Sequence, residues 1–237
     1  MSDVKTILIT RPLLDARLLS EKLAEHGYAS CLLPMITIEN HNIDEKIIIG
    51  DEDVYAFTSA NGVRAAQAAH LPPRHSFAVG PATQEACHLA GFPAQMGAGD
   101  VASLTELISQ NQIAGRVWHL SGRDLAGDLC GALVKHGIMA ENLPLYTAKA
   151  CTDITPDIYT AIIENRIDAV MLYSKRSAAI FCDLIARANL IEKIQSKIFY
   201  CLSEPVGEML KAQGYMNCHI ADVPTEQALL KILPRMS

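Results

Sequence analysis

Short uninterrupted apolar runs alternate along this chain with segments whose apolar residues recur at three- and four-residue spacing. The runs cover residues 6–9, 30–33, 54–58, 76–79, 116–120, 168–173, 198–202 and 216–220. Each has the length and continuity of a strand buried on both faces of a parallel sheet. The periodic segments cover residues 14–26, 63–70, 82–90, 103–110, 125–136, 156–165, 177–188, 206–213 and 225–233. They predict amphipathic helices packed against those sheets. Gly27, Gly91, Gly137 and Gly214 stand where such helices end in a left-handed turn, Pro156 follows Thr155 at a helix start, and Ser103 with Glu106 has capping-box spacing. Strand and helix alternate throughout, which predicts an α/β protein with two doubly wound parallel sheets.

The pattern is written twice. Residues 5–36 align without a gap on 115–146, placing Leu19 on Leu129, Leu23 on Leu133, His26-Gly27 on His136-Gly137 and Pro34 on Pro144. Asp53 to Ser59 matches Asp168 to Ser174, and Phe77 to Phe92 matches Tyr200 to Tyr215. A duplicated βα plan implies two similar lobes and a cleft walled by equivalent loops. Segments 34–39 and 143–149 break the rhythm at equivalent places and alternate as half-exposed strands do. Taken as paired linkers, they make the first lobe discontinuous, with residues 1–33 joined by 150–237, and the second lobe 40–142.

With 237 residues and 50% hydrophobic content the chain can bury two cores without disulfides or metal. Its seven cysteines are odd in number, scattered and without a CxxC pair, as expected of reduced thiols in a core. The eight histidines form no HxH or HxxxH pair, and no metal is expected. A net charge of -6 without a Lys/Arg cluster argues against nucleic acid. The apolar run Ile7-Leu8-Ile9 is too short for a signal segment or a membrane span. The expectation is a cytoplasmic monomer with no membrane partner.

Ligands of parallel sheets bind at the carboxyl ends of strands, where the next helix presents unpaired N–H groups. The loops there are Thr10-Arg11-Pro12, Thr58-Ser59-Ala60-Asn61-Gly62, Gly80-Pro81-Ala82-Thr83, Ser121-Gly122-Arg123, Ser174-Lys175-Arg176-Ser177 and Leu202-Ser203-Glu204-Pro205. Any one of them alone reads as a cap or a tight turn. Six converging on one edge, small, hydroxylated or cationic, point to an anionic ligand. Arg11 and Arg123 stand within two positions of each other in the aligned copies, and an Arg at a helix start is otherwise poorly placed against the dipole. Tyr146 puts a hydroxyl where the other copy has Ile36, although packing alone also explains an interfacial tyrosine. The run from Gly97 to Ala102 fits a relaxed GxGxxA dinucleotide fingerprint, but the preceding residues 93–96 make a poor strand. No GxxxxGK[ST], GxSxG or HExxH occurs.

Thr10-Arg11-Pro12, the run Phe57 to Val63, Ala78 to Thr83, Gly91-Phe92, Leu143-Pro144-Leu145-Tyr146 and Asp168 to Ser174 together resemble the uroporphyrinogen-III synthase family over nearly the whole length. Each motif is short; their order and spacing around a tyrosine-bearing linker are specific. The resemblance implies two flavodoxin-like lobes, swapped in sequence and joined by a two-stranded ladder. It implies no cofactor and no metal. The substrate it implies is hydroxymethylbilane, a linear tetrapyrrole whose acetate and propionate groups helix N-termini and a few Arg side chains can hold. The substrate-binding residues would be Arg11, Thr58, Ser59, Ala60, Asn61, Gly80, Ala82, Thr83, Ser121, Gly122, Arg123, Ser174, Arg176 and Ser203.

The implied reaction is dehydration with cyclisation. Loss of the ring A hydroxyl leaves an azafulvene, ring D attacks through its substituted carbon, and the spiro intermediate rearranges to invert that ring. Tyr146 matches the family's linker tyrosine and would be the general acid. The chain departs from the family at residues 202–206, where a Gly followed by Thr is usual and Glu204 would face an anionic substrate unfavourably. Two other readings fit the same residues: a non-catalytic two-lobe protein closing on a small acidic ligand, and a nucleotide-binding enzyme using Gly97 to Ala102.

Overall fold

The structure, a computed structural model, describes residues 5–125 and 127–234. In chain order it begins β1 (Thr6–Ile9), α1 (Leu13–Glu25), β2 (Ala29–Leu32), β3 (Ile36–Asn40), β4 (Val54–Phe57), α2 (Ala60–Ala68) and β5 (Ser76–Ala78). It continues through α3 (Pro81–Leu89), β6 (Ala94–Met96), α4 (Val101–Ser109), β7 (Val117–Gly122), α5 (Leu129–Lys135), β8 (Ala140–Ala150) and α6 (Pro156–Ile163). It ends β9 (Ala169–Leu172), α7 (Lys175–Arg187), α8 (Ile191–Ile194), β10 (Ile198–Cys201), α9 (Glu204–Ala212), β11 (Cys218–Ile220) and α10 (Glu226–Lys231).

The chain divides into two compact units. Unit 1 is Met1–Thr37 with Lys149–Ser237, and unit 2 is Ile38–Ala148. One sheet has the order β11-β10-β9-β1-β2, the other β3-β8-β7-β4-β5-β6. Substituting each strand by its aligned partner turns the first order into β6-β5-β4-β7-β8, so the internal repeat extends to strand order. β1 pairs in parallel with β2 and β9, and β4 with β5 and β7. All residues of β4, β7 and β9 are buried; β4 and β9 are unbroken apolar runs as such burial favours, whereas β7 carries the buried polar residues His119 and Ser121.

Alternate residues serve opposite faces of each sheet. In unit 1, Leu8, Val170 and Phe199 pack with Phe181 of α7, while Ile7, Ile9 and Met171 pack with Leu19 and Leu23 of α1. In unit 2, Tyr55 and Phe57 pack with Val63 of α2, while Ala56 and Val117 pack with Leu129 and Leu133 of α5. Helices on both faces make each sheet doubly wound. Gly27, Gly91, Gly137 and Gly214 close α1, α3, α5 and α9 at φ of 85°, 81°, 77° and 88°, the left-handed turn expected of them.

The two copies also share an anchor. Asp53 accepts hydrogen bonds from Arg116 N–H (2.8 Å), Trp118 Nε1–H (2.8 Å) and Gly50 N–H (2.8 Å). Its counterpart Asp168 accepts from Lys5 N–H (2.9 Å) and Thr6 N–H (2.8 Å). Each aspartate therefore ties the start of its strand to backbone amides leading the neighbouring one.

Several local expectations are corrected. Residues 94–96 form an edge strand, β6, despite their polarity, because β5 supplies a parallel ladder from Ser76 to Ala78. Helix α4 starts earlier than Ser103: Asp100 is its cap and Ser103 the third residue of the box, so Glu106 takes no part in it. Helix α2 starts at Ala60, with Ser59 as its cap, rather than at residue 63. Helix α5 starts at Leu129 with Asp128 as its cap, not at Leu125; Ala126, which the periodicity assigns to its first turn, lies outside the described residues. The linker strands β3 and β8 are hydrogen-bonded neighbours, and because β8 also pairs with β7 from Ala140 to Tyr146, β3 forms an edge of the second sheet.

Candidate functional site

In unit 2 the strand order reverses between β4, which leads on to β5, and β7, which leads on to β8. The helices that follow, α2 and α5, lie on opposite faces of the sheet. Such a switch point leaves a crevice at the carboxyl ends of the strands. It holds a pocket of about 370 Å³, walled by Thr58 and Ser59 after β4, by Gly99 to Val101 after β6, by His119, Ser121 and Gly122 of β7, and by Tyr146 of β8.

Tyr146 is 8% exposed and its position is built by its neighbours. A Cβ at Gly122 would lie 2.9 Å from the Tyr146 ring, so the ring rests where only glycine leaves space. Arg123 N–H donates to the Tyr146 carbonyl (2.9 Å), and His41 N–H to that of Leu145 (2.7 Å). Ser121 is 3% exposed, and its Oγ has no protein partner. A buried, unpartnered hydroxyl on a residue that lines a pocket is a hydrogen-bonding group still to be satisfied.

Two carboxylates, Asp100 and Asp124, also line this pocket, and no Lys or Arg does among the described residues. The backbone N–H and the side chain of Ser103 hold the Asp100 carboxyl below its ordinary range. The anionic ligand anticipated from the loops is therefore not received by cations in this pocket. The same Asp100 occupies the N-terminal amide of α4 through Ser103 N–H (2.7 Å), where a dinucleotide phosphate would have to sit in the Gly97 to Ala102 reading.

The anticipated residues fall into three groups. Thr58, Ser59, Ser121, Gly122 and Tyr146 share the pocket. Ala60 and Asn61 open α2, whose cap Ser59 accepts from Asn61 N–H (3.1 Å). Gly80, Ala82 and Thr83 open α3, which has no side-chain cap; a Cβ on Gly80 would come within 3.3 Å of Gly99 Cα. Arg123 is exposed beside Gly122.

The remaining four, Arg11, Ser174, Arg176 and Ser203, belong to unit 1, at the ends of β1, β9 and β10. Arg11 pairs with Asp15 (3.2 Å) and Glu226, and its guanidinium stacks over the Tyr173 ring at 4.6 Å. Ser174 caps α7 through Ser177 N–H (3.0 Å), whereas Ser203 caps α9 without a side-chain bond.

Among the pocket residues that the loop argument misses is His119, because it sits within a strand rather than after it. The signal was available: its aligned partner in the other copy is Ile9, the same hydrocarbon-to-polar exchange that singles out Tyr146. Burial moves the His119 pKa below its ordinary value, against the hydrogen bond to Asn142 and the charge of Asp128.

A duplicated, doubly wound fold whose switch-point pocket is lined by hydroxyl, imidazole and phenol groups defines a small-molecule enzyme of two flavodoxin-like lobes. Residues 18–231 match the family model of uroporphyrinogen-III synthase HemD, and the chain belongs to that family. It is a cyclising lyase of tetrapyrrole biosynthesis, forming uroporphyrinogen III. Among solved structures it resembles uroporphyrinogen-III synthetase from Helicobacter pylori (TM-score 0.62, 16% identity, 96% of this chain and 97% of that one). It also resembles a mutant uroporphyrinogen III synthase from the extreme thermophile Thermus thermophilus (TM-score 0.57, 17% identity, 96% of each chain). At these identities the likeness shows the fold. A search of curated proteins finds no significant match. No helix among the described residues is long and apolar enough to cross a membrane.

Proposed function

We propose that the switch-point pocket of unit 2 holds the reacting end of hydroxymethylbilane. Tyr146 donates a proton to the departing hydroxyl, with the pyrrole nitrogen assisting. The observation that carries this reading is the seat of Tyr146 against Gly122, beside the unpartnered Ser121 hydroxyl. The pocket's charge fits the intermediate. Losing hydroxide leaves a cationic azafulvenium, and Asp100 and Asp124 favour positive charge, whereas a propionate would be repelled there.

The substrate's carboxylates are held outside the pocket by the helix starts at Ser59 to Asn61 and Gly80 to Thr83, with Arg123 nearby. Arg11, Ser174, Arg176 and Ser203 hold further carboxylates on unit 1. Arg11 does so only by exchanging Glu226 for substrate. Neither cofactor nor metal is required by this chemistry, and the enzyme acts in the cytoplasm as a monomer, with the two units as its lobes.

The test is to supply freshly made hydroxymethylbilane, oxidise the products and resolve uroporphyrin isomers by chromatography. Isomer III in excess over isomer I is expected. Isomer I alone, at the rate of the spontaneous reaction, would overturn the reading.

A further inference from the structure

His119 lies near the carboxyl end of β7, is 1% exposed, and has both ring nitrogens engaged. Nδ1 bonds Asn142 Oδ1 at 2.8 Å and Nε2 bonds Thr58 Oγ1 at 2.9 Å. The same Asn142 Oδ1 accepts from Cys130 Sγ–H at 3.3 Å. An amide oxygen only accepts, so Nδ1 carries the ring proton and Nε2 accepts from the Thr58 hydroxyl. Thr58 lines the pocket, and its oxygen keeps lone pairs for whatever the pocket contains. The result is a hydroxyl at the pocket wall, backed by a neutral imidazole that a third group orients. Packing does not demand it: the equivalent position of unit 1 is Ile9, fully buried in an otherwise similar strand.

The reaction requires such a group. One proton goes out with the ring A hydroxyl as water. The free α-carbon of ring D exchanges its hydrogen for a carbon, so one proton must also be taken up. We propose that His119, acting through Thr58, receives this proton. The proposal rests on the reaction assigned above.

As the C–H bond of the ring D cation breaks, its electron pair returns to the ring and the proton passes to Thr58 Oγ1. The proton of Thr58 moves to His119 Nε2. The imidazolium is then held by Asn142 Oδ1 and the field of Asp128, until its proton returns to the Tyr146 phenolate by way of solvent. The carbon acid is a cation regaining aromaticity, so a weak base suffices, and a neutral imidazole kept below its ordinary pKa is adequate. Thr58 would be the catalytic residue, and His119 positions it and stores the proton. Burial, Asn142 of β8 and Asp128, the cap of α5, shift the His119 pKa; the other titratable or hydrogen-bonding groups facing this cluster are Thr58 after β4, Cys130 of α5, and Asp100, Asp124 and Tyr146 along the pocket wall.

The experiment follows turnover of hydroxymethylbilane by the full chain from about pH 5 to 8. Wild-type turnover should fall on the acid side as Nε2 is protonated. His119→Gln should lose roughly tenfold or more and show no acid limb. Thr58→Val should behave similarly, and Thr58→Ser should be close to wild type. Asp128→Asn is the decisive variant, because Asn preserves the cap of α5 while removing a charge that raises the imidazole pKa. Its acid limb should move to lower pH. Wild-type turnover in His119→Gln, or an unmoved acid limb in Asp128→Asn, would overturn the inference. If His119→Gln does not fold, the Asp128→Asn profile still decides. A wild-type chain that makes no uroporphyrinogen III would overturn the assigned reaction, and this inference with it.

Discussion

At the switch point of unit 2, Thr58, His119, Ser121 and Tyr146 surround an open pocket. The aligned positions of unit 1 are Tyr173, Ile9, Arg11 and Ile36. There Arg11 stacks on Tyr173 and is held by Asp15 and Glu226, so charge and aromatic surface are satisfied within the unit. Strand order, helix placement, the terminal glycines and the aspartate anchors agree between the copies; the residues at strand ends do not. A duplicated scaffold repeats what burial fixes and diverges where side chains leave the sheet. In the proposed reading one copy carries the reacting groups, and the other carries a cation, Arg11, whose ion pairs must open before it meets a ligand.

The strongest way to break this contrast is to fill the space under Tyr146. Gly122→Ala would put a Cβ against the ring, and a displacement of about an ångström costs on the order of 100-fold in rate. We expect that loss in kcat/KM with a normal circular dichroism spectrum. The aligned residue of unit 1 is Pro12, which has no tyrosine to seat, so Pro12→Ala should leave turnover close to wild type. Equal losses in both variants would mean that the asymmetry is only a packing difference.

Tyr146→Phe tests the phenol with its ring left in place. A positioned acid contributes roughly 10²- to 10⁴-fold. The hydroxyl of the substrate also leaves with help from the pyrrole nitrogen, so we expect a loss of about 10- to 100-fold in kcat and unchanged product binding. Isomer III should remain the product, since ring inversion depends on how the substrate is folded and Phe keeps nearly the same shape. Wild-type turnover would return Tyr146 to a packing role among Leu143 and Leu145, its neighbours in the same core.

On the unit 1 side the effects are smaller. Arg11→Ala should raise KM by about tenfold or less, because the lost substrate contact is partly offset by the ion pairs that no longer have to open. Glu226→Gln should lower KM, by freeing Arg11 from one carboxylate. If Glu226→Gln leaves KM unchanged while Arg11→Ala has no effect, Arg11 is structural, and unit 1's contribution rests on Ser174, Arg176 and Ser203.

How much of this could be read from the sequence follows from the same contrast. The doubly wound class was legible because β4 and β9 are apolar runs long enough to span a buried sheet, and because Gly27, Gly91, Gly137 and Gly214 mark helix ends. Strand β6 was not legible, since Ala94-Gln95-Met96 has no strand pattern of its own and is ordered by its neighbour β5. Helix α8 is a single turn, below the length at which periodicity is informative. The loops after β4 and β7 were found as candidates from their residue types and position. His119 was not, because a histidine within an apolar run reads as core until its partners are known. Asn142 and Cys130 lie 23 and 12 residues away from their partners in sequence, and only pairing of β8 with β7 brings the amide to the imidazole. Asp100 and Asp124 reach the pocket from loops whose course no local rule dictates.

The smallest expected effect compares the two anchors. Asp53 gathers three N–H donors and Asp168 two. Burial by itself would raise the Asp53 carboxyl, but bonds from Arg116 N–H, Trp118 Nε1–H and Gly50 N–H outweigh it and hold the group below its ordinary range. A carboxylate depressed in the folded state adds stability above its unfolded pKa of about 3.9, and that stability is lost as pH falls through the folded value. Asp53→Asn should therefore cost about 1 kcal/mol at neutral pH, the modest figure reflecting a partly solvated site. The difference from wild type should shrink below about pH 4, where the carboxyl begins to protonate in the unfolded chain, and continue to shrink as pH falls toward the lower folded value. Asp168→Asn, with fewer donors to leave unmatched, should cost less at neutral pH. Urea unfolding of each variant at neutral and acid pH measures both quantities, and a larger neutral-pH loss at Asp168 than at Asp53 would show that donor number does not set the strength of these anchors.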